Sequence, residues 1–160
     1  MDQIAIARAA NEEREWCAQL MASSEPWTML GRGLEQCRAA CRHDQYLLFV
    51  VRLDGQPCGF VLMHPRGMAG SPYIASIAVA PEARGRGVGS ALLEFAERQF
   101  PGARHLFLCV SSFNTRARAL YERHGYRATG ELKDYFIAGA SEIIMHKRLE
   151  TGGRRLEEET

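Results

Sequence analysis

The stretch Ile77-Ala-Val-Ala-Pro-Glu-Ala-Arg-Gly-Arg-Gly-Val-Gly-Ser90 decides the fold class of this chain. It begins as an apolar, strand-like run, passes through a glycine-rich turn after Pro81 and continues into an apolar pattern of helical spacing. A turn at the start of a helix exposes backbone N–H groups at the positive end of the helix dipole, and glycine lets a phosphate approach without a Cβ clash. The stretch therefore predicts a binding site for a phosphate-bearing ligand.

Two common phosphate-binding motifs do not fit this stretch. The loop of P-loop NTPases requires a lysine and a Ser or Thr after its last glycine, and no lysine lies near Gly89. The dinucleotide fingerprint requires three glycines directly after the first strand of a βαβ unit, whereas here Ser90 stands at the third position, in mid-chain. Neither nucleotide class is supported.

The chain before this stretch predicts two helices and an antiparallel sheet. The expected elements are strands at 4–8, 46–52, 57–64 and 74–79, a helix from Asn11 and a second short helix through Cys41. Asp54-Gly55, between two of these strands, is the strongest short-range signal for a hairpin. The local pattern in this half is antiparallel.

The chain after the stretch alternates between helix and strand. We expect a helix from Val88, a strand at 105–110, a helix that ends at Gly125 and extended segments around 126–135 and 142–147. This order predicts a parallel crossover and a mixed α/β fold. Residues 1–149 are expected to form a single domain and residues 150–160, mostly charged or hydroxyl-bearing, a disordered tail.

Composition excludes several classes of protein. The 160 residues are 46% hydrophobic and 24% charged with a formal net charge of +1, which argues against a disordered chain and against a nucleic-acid binder. No basic segment followed by a long apolar run opens the sequence, and the longest apolar stretch, 46–51, is far shorter than the roughly 20 residues of a membrane helix. We expect a cytoplasmic protein without a membrane or nucleic-acid partner; a homodimer is one option that the sequence leaves open.

The cysteines predict packing rather than metal binding. Five cysteines are scattered along the chain, which is typical of reduced thiols. Cys37-x-x-x-Cys41-x-His43 resembles half of a metal site, but no second ligand pair follows at finger spacing. No metal is expected.

Two linked motifs resemble the GNAT superfamily of N-acetyltransferases. The first is Arg84-x-x-Gly87-x-Gly89 after the apolar strand, and the second is Asn114-x-x-Ala117-x-x-Leu120-Tyr121-x-x-x-Gly125-Tyr126. The resemblance extends in pattern from residue 46 to about residue 148. It implies a strongly twisted mixed sheet of about six or seven strands with about four helices, whose central strands splay apart to admit acetyl-CoA, the acyl donor.

The same resemblance implies which residues bind the donor. The first loop wraps the pyrophosphate of coenzyme A in relatives, the strand before it pairs with the pantetheine arm, and the second motif contacts the region near the thioester. The implied cofactor-binding residues are Ile77, Ala78, Val79, Arg84, Gly85, Arg86, Gly87, Val88, Gly89, Ser90, Asn114, Ala117 and Tyr121. Tyr121 is also the candidate general acid, since its hydroxyl suits protonation of the leaving thiolate.

The general base and the acceptor are less well defined. Relatives that acetylate ribosomal-protein N-termini carry a glutamate where this chain has Cys109, and a buried strand cysteine is usually inert. The sequence leaves open a base among Glu131, Asp134, His124 and an ordered water.

Trp27 and Tyr135, on irregular segments, are expected to contact the acceptor. The predicted function is direct acetyl transfer to a primary amine of a protein N-terminus, a lysine or a small molecule. A coenzyme A-binding sensor without turnover is the alternative.

Overall fold

Seven strands form one mixed sheet in the computed structural model, which describes residues 3–149. The strands are β1 Ile4–Arg8, β2 Leu47–Leu53, β3 Gln56–Met68, β4 Ser71–Val79, β5 His105–Ser111, β6 Arg127–Leu132 and β7 Glu142–Arg148. The helices are α1 Asn11–Ala22, α2 Leu34–Arg42, α3 Val88–Arg98 and α4 Thr115–Arg123, with a 3-10 turn at Pro81–Ala83. The expected mixed α/β class is confirmed, whereas the expected tail at 150–160 lies outside the described residues.

The first half of the sheet is antiparallel, with β1 to β4 adjacent in chain order. Asp54 and Gly55 join β2 to β3, and both have positive φ, 51° and 85°. Two successive positive φ angles are characteristic of the tight hairpin turns whose twist matches that of the strands. The predicted hairpin is therefore present.

The central strands β4 and β5 separate soon after they meet. Their parallel pairing consists of Tyr73 opposite Phe107 and Ile74 opposite Leu108. The register of β4 against β3 shifts immediately afterwards, because Ala75 is an extra residue between the pairs Met63–Ile74 and Leu62–Ser76. A bulge bends its strand and increases its twist. The bulge thus accounts for the splay between β4 and β5 that the resemblance implies.

Helices pack on both faces of the sheet. Side chains of β2 alternate between two cores: Leu48 and Val50 pack with α1 and α2, whereas Phe49 and Val51 pack with α3 and α4. The alternation follows from the two-residue period of a strand. The sheet is therefore covered by a hydrophobic core on each face.

The cysteines Cys37 and Cys41 are each 1% exposed and belong to the core beneath α1 and α2. Burial raises the pKa of both thiols, that of Cys41 to about 11. In residues 3–149 no three His, Cys, Asp or Glu side chains gather in a way that could hold a metal ion. Nor does that part of the chain contain a helix long and apolar enough to cross a membrane.

Candidate functional site

A cavity of about 250 Å³ lies where β4 and β5 diverge. Its walls come from both strands, from α4 and from the segment between α1 and α2. The bulge at Ala75 opens it, and both Ile77 on β4 and Val110 on β5 line it. The cavity is therefore a direct product of the strand splay.

Tyr121 of α4 lines this cavity and is 6% exposed. Its ring packs edge-on against Tyr126, with 6.2 Å between the ring centroids. Burial raises the pKa of the Tyr121 phenol above its ordinary value, because the phenolate would lose its hydration. The hydroxyl therefore stays protonated near neutral pH and can donate to a developing negative charge.

Asn114 combines a structural role with a place on the cavity wall. It is the N-cap of α4, where its side-chain oxygen accepts a hydrogen bond from the Ala117 N–H at 3.3 Å. Both residues also line the cavity. The cap fixes the first turn of α4, so the position of Tyr121 two turns later is set by the same interaction.

The loop from Arg84 to Gly87 is exposed and precedes α3. Gly85 and Gly87 have φ angles of 76° and 81°, and a Cβ at either position would meet no atom within 4 Å. Gly87 is the N-cap of α3, and no side chain caps its first amides. Open space beside uncapped N–H groups at a helix N-terminus suits a phosphate group.

The start of α3 packs closely against α4. A Cβ on Gly89 would lie 3.1 Å from Leu120 Cδ2, and Ser90 Oγ is 2.9 Å from His124 Nε2. Glycine at position 89 thus favours close approach of the helices, since an added Cβ would make Leu120 shift by a few tenths of an ångström, whereas its φ angle does not call for glycine. The contact brings the loop next to the helix that carries Tyr121.

Beyond Ile74, the edge of β4 on the β5 side has no strand partner in the part of the chain that the structure describes. Ile77, Ala78 and Val79 pair with β3 on one side, and within residues 3–149 β5 does not pair with them on the other. An unpaired strand edge offers main-chain N–H and C=O groups to an extended ligand. This agrees with the pantetheine contact that the resemblance implies for these three residues.

The sequence reading missed Glu142 at the beginning of β7. Glu142 lines the cavity, is 8% exposed, and its Oε2 accepts a hydrogen bond from Ser111 Oγ. Burial raises the pKa of its carboxyl, and this effect exceeds the opposing ones of the Ser111 hydrogen bond and of Arg32. The available signal was an acidic residue directly before the apolar run Ile143-Ile-Met145 of the strand Glu142–Arg148.

The earlier candidates for the base lie elsewhere or are inert. Glu131 accepts a hydrogen bond from Ser141, and Asp134 accepts one from the Gly139 N–H, so both stabilise the β6–β7 connection. Cys109 does line the cavity, where the Tyr73 hydroxyl donates to its sulfur. Burial raises the thiol pKa, which disfavours a reactive thiolate.

The two predicted acceptor contacts differ in position. Trp27 is 6% exposed and lines the cavity. Tyr135 is 58% exposed and is not part of the cavity wall in the described chain, although its ring lies 4.7 Å from that of Phe136. Phe136 does line the cavity, so Tyr135 remains a predicted contact one residue from the wall.

A second cavity, of about 400 Å³, adjoins the first. The two share Leu30, Arg32, Ser76 and Phe136, and the second extends along α2 past Cys37 and Ala40. The guanidinium of Arg32 lies 4.8 Å from the centre of the Phe136 ring. We refer to the two adjoining cavities together as the channel; the second cavity lies on the α1–α2 side of the sheet, and the first reaches Tyr121.

Comparisons with known proteins agree with this geometry. The model of the acetyltransferase (GNAT) family matches residues 8–126. An uncharacterised N-acetyltransferase of Methanocaldococcus jannaschii is 34% identical over 103 residues, which span 62% of this chain and 65% of that protein. The match therefore covers slightly less than two thirds of that relative.

Solved structures share the whole fold. A proposed GNAT-family acetyltransferase of Desulfovibrio desulfuricans superposes with a TM-score of 0.79 at 23% identity, covering 92% of this chain and 99% of the other. The ribosomal-protein-S18-alanine N-acetyltransferase of Escherichia coli gives a TM-score of 0.74 at 23% identity, with coverages of 96% and 99%. The fold, an α/β sheet whose central strands splay apart, and the site together define a protein of the GNAT class. The chain belongs to the acetyltransferase (GNAT) family, as its two motifs predict.

Proposed function

We propose that this chain is an N-acetyltransferase that moves an acetyl group from acetyl-CoA to a primary amine by direct attack. The observation that carries the proposal is the meeting of three features at one place: the strand splay, the uncapped start of α3 and the buried hydroxyl of Tyr121. Membership of an acetyltransferase family supports it. So does a structural neighbour, an aminoglycoside 6'-N-acetyltransferase complexed with coenzyme A.

The residues present fit coenzyme A. The open space at Gly85 and Gly87 admits a diphosphate, and the side chains of Arg84 and Arg86 carry positive charge on the same loop. The free edge from Ile77 to Val79 suits the amide groups of the pantetheine arm. Bound in this way, acetyl-CoA supplies the thioester carbonyl that is attacked and the thiolate that leaves.

Tyr121 and Asn114 act where the reaction takes place. The protonated hydroxyl of Tyr121 donates to the thiolate sulfur and so stabilises its charge at a buried position of the cavity wall. The amide nitrogen of Asn114 remains a donor, since its oxygen caps α4. The chemistry requires no covalent intermediate on the protein.

The acceptor is an amine that enters from the α1–α2 side. Named structural neighbours act on a ribosomal-protein alanine and on spermidine, so this fold serves both protein and small-molecule amines. Trp27 and Phe136 line the first cavity, and Tyr135 packs against Phe136 beside it. The five free thiols fit the reducing cytoplasm, where we place the reaction.

Two measurements test the proposal. Calorimetry with acetyl-CoA should show one site, and release of free thiol should follow the addition of an amine from a panel of amino acids, small amines and peptides. The thiol assay reports the C–S bond that breaks, whichever acceptor is used.

Binding of acetyl-CoA without turnover on a broad panel would favour the sensor function instead. A failure to bind acetyl-CoA at all would exclude both functions. The Gly87→Asp variant of this chain, whose loop before α3 is altered, provides the control.

A further inference from the structure

The channel beside Tyr121 contains two ionisable side chains of opposite charge. The described residues that line the two cavities include one acid, Glu142, and one base, Arg32, among otherwise apolar or neutral side chains. A charge in such a wall is costly unless a partner compensates for it. Each of the two therefore indicates a charge on the molecule that the channel receives.

Glu142 forms no salt bridge with any of residues 3–149. Ser111 Oγ donates to Oε2, and no residue between 3 and 149 donates to Oε1. The carboxylate projects into the first cavity, the one that Tyr121 also lines. An acceptor ammonium near Tyr121 would supply the missing positive charge.

Arg32 lacks an anionic partner in the same way. It is partly exposed, its guanidinium stacks over Phe136, and the described chain gives it no ion pair. Arg32 lies close enough to Glu142 to lower the pKa of that carboxyl, yet the two do not form a salt bridge. A guanidinium with free donors binds a carboxylate well.

We propose that Glu142 and Arg32 bind the two charged ends of one acceptor, an amino acid or a compound that likewise carries both an amine and a carboxylate. This rests on the proposed acetyl transfer. The amine lies by Glu142 and Tyr121 in the first cavity, and the carboxylate lies by Arg32 where the cavities join. The acceptor side chain extends into the second cavity, beside Met21, Cys37 and Ala40.

Glu142 also handles the proton that must leave the amine. The ammonium gives one proton to the Glu142 carboxylate, which passes it to solvent, and the neutral nitrogen forms a bond to the acetyl carbon. The C–S bond breaks, the thiolate takes a proton from Tyr121, and the second N–H proton of the acceptor restores the tyrosine. The sum is one amide, one thiol and one released proton.

The test compares amino acids with the same molecules lacking the carboxylate. The probes are L-tryptophan with tryptamine, L-tyrosine with tyramine and L-histidine with histamine, assayed by thiol release. We expect at least one amino acid to be preferred over its amine. Arg32→Gln should then lower the ratio of kcat/KM for acid over amine about ten- to hundredfold, the loss expected for a charge-assisted hydrogen bond.

A matched control is Arg8→Gln. The Arg8 guanidinium also lies over a phenylalanine, 5.6 Å from the Phe49 ring centre, but Arg8 does not line either cavity in the described chain. That variant should leave the ratio unchanged. Glu142→Gln should lower kcat for amino acids and for the corresponding amines alike. It should also abolish the part of the acid limb of the pH–rate profile that comes from protonation of the Glu142 carboxylate.

Several outcomes would overturn the inference and leave acetyl transfer intact. The first is equal kcat/KM for the amino acids and their amines. The second is a fall in kcat/KM for both after Arg32→Gln, with their ratio unchanged. The third is a pH–rate profile that Glu142→Gln does not alter. If no probe is acetylated while acetyl-CoA binds, calorimetry of the three amino acids with the CoA-saturated protein decides. Binding that Arg32→Gln abolishes supports the inference, and absence of binding overturns it, whereas acetyl transfer itself is still decided by thiol release with the other amines and peptides of the panel.

Discussion

Ser90 Oγ and His124 Nε2 lie 2.9 Å apart and join the first turn of α3 to the C-cap of α4. The link connects the expected diphosphate cradle to the helix that carries Tyr121. It also explains why His124 is not part of the cavity wall, although it follows Tyr121 by one helical turn. A side chain chosen from sequence as a possible base thus orients two helices.

Removing this link should destabilise the protein modestly. Ser90→Ala and His124→Ala each lose one partly buried hydrogen bond, worth about 0.5–1.5 kcal/mol. For a chain of this size, about 1 kcal/mol lowers Tm by roughly 2–4 °C. Denaturant melts of both single variants and of the double variant measure the coupling, and simple additivity would show that the two side chains do not interact.

The glycine at the start of α3 gives a sharper test of ligand binding. Gly87→Asp places a carboxylate beside the expected diphosphate, and its φ of 81° adds a strain of about 1–2 kcal/mol. Acetyl-CoA binding should become undetectable by calorimetry because of repulsion and clash. Gly102→Asp is the control, since Gly102 has a φ of 93° and equally open space but lies after α3, away from the loop.

The two aspartate variants should share the loss of stability and differ in binding. Equal acetyl-CoA affinity in both would remove the loop before α3 as the diphosphate site. A large loss of affinity in Gly102→Asp would show that backbone strain alone explains the effect at Gly87.

Local features of the fold were predictable from sequence because each depends on neighbouring residues. Asp54-Gly55 specifies its turn through its own φ angles, and Gly125, with a φ of 91°, ends α4 where expected. The strand β3 runs four residues beyond the predicted end at His64, to Met68. Pro65 lacks an N–H, and the pairing with β4 is interrupted after His64 before it resumes at Met68 opposite Ser71.

The cavity wall was predictable only in part, because strand pairing builds it from distant segments. Ser111 and Glu142 are 31 residues apart and meet as cross-strand partners of β5 and β7. The sequence around either residue does not reveal that Ser111 and Glu142 are neighbours. The bulge at Ala75 likewise depends on the register between β3 and β4, which periodicity along one strand does not contain.

Burial of Glu142 predicts a stability that depends on pH. Its folded-state pKa is raised, so the folded protein favours the protonated form, and this contribution is lost as pH rises through the folded pKa. Glu142→Gln removes that loss while keeping an oxygen for the Ser111 hydrogen bond. The variant should therefore be more stable than the parent at pH values above the raised folded-state pKa of Glu142, with the advantage fading towards acid pH.

Melting curves from pH 4 to pH 9 measure this difference between parent and Glu142→Gln. A constant offset across the range would mean that the carboxyl does not titrate with folding. Gain of stability with loss of kcat is the pattern expected where a residue is retained for function rather than for folding.

Tyr121→Phe tests the chemistry itself, because it removes one hydroxyl and preserves the ring that packs against Tyr126. We expect kcat to fall about a hundredfold or more, the usual contribution of a positioned acid, with acetyl-CoA affinity nearly intact. Tyr126→Phe is the matched control: its hydroxyl donates to Glu97 at 3.1 Å, outside the cavity, and should affect stability rather than kcat. Since burial raises the pKa of Tyr121, deprotonation of this group should not produce an alkaline limb below about pH 10. Thiol release across pH for the parent and both variants measures these effects, and equal kcat in Tyr121→Phe and the parent would remove this hydroxyl from the reaction.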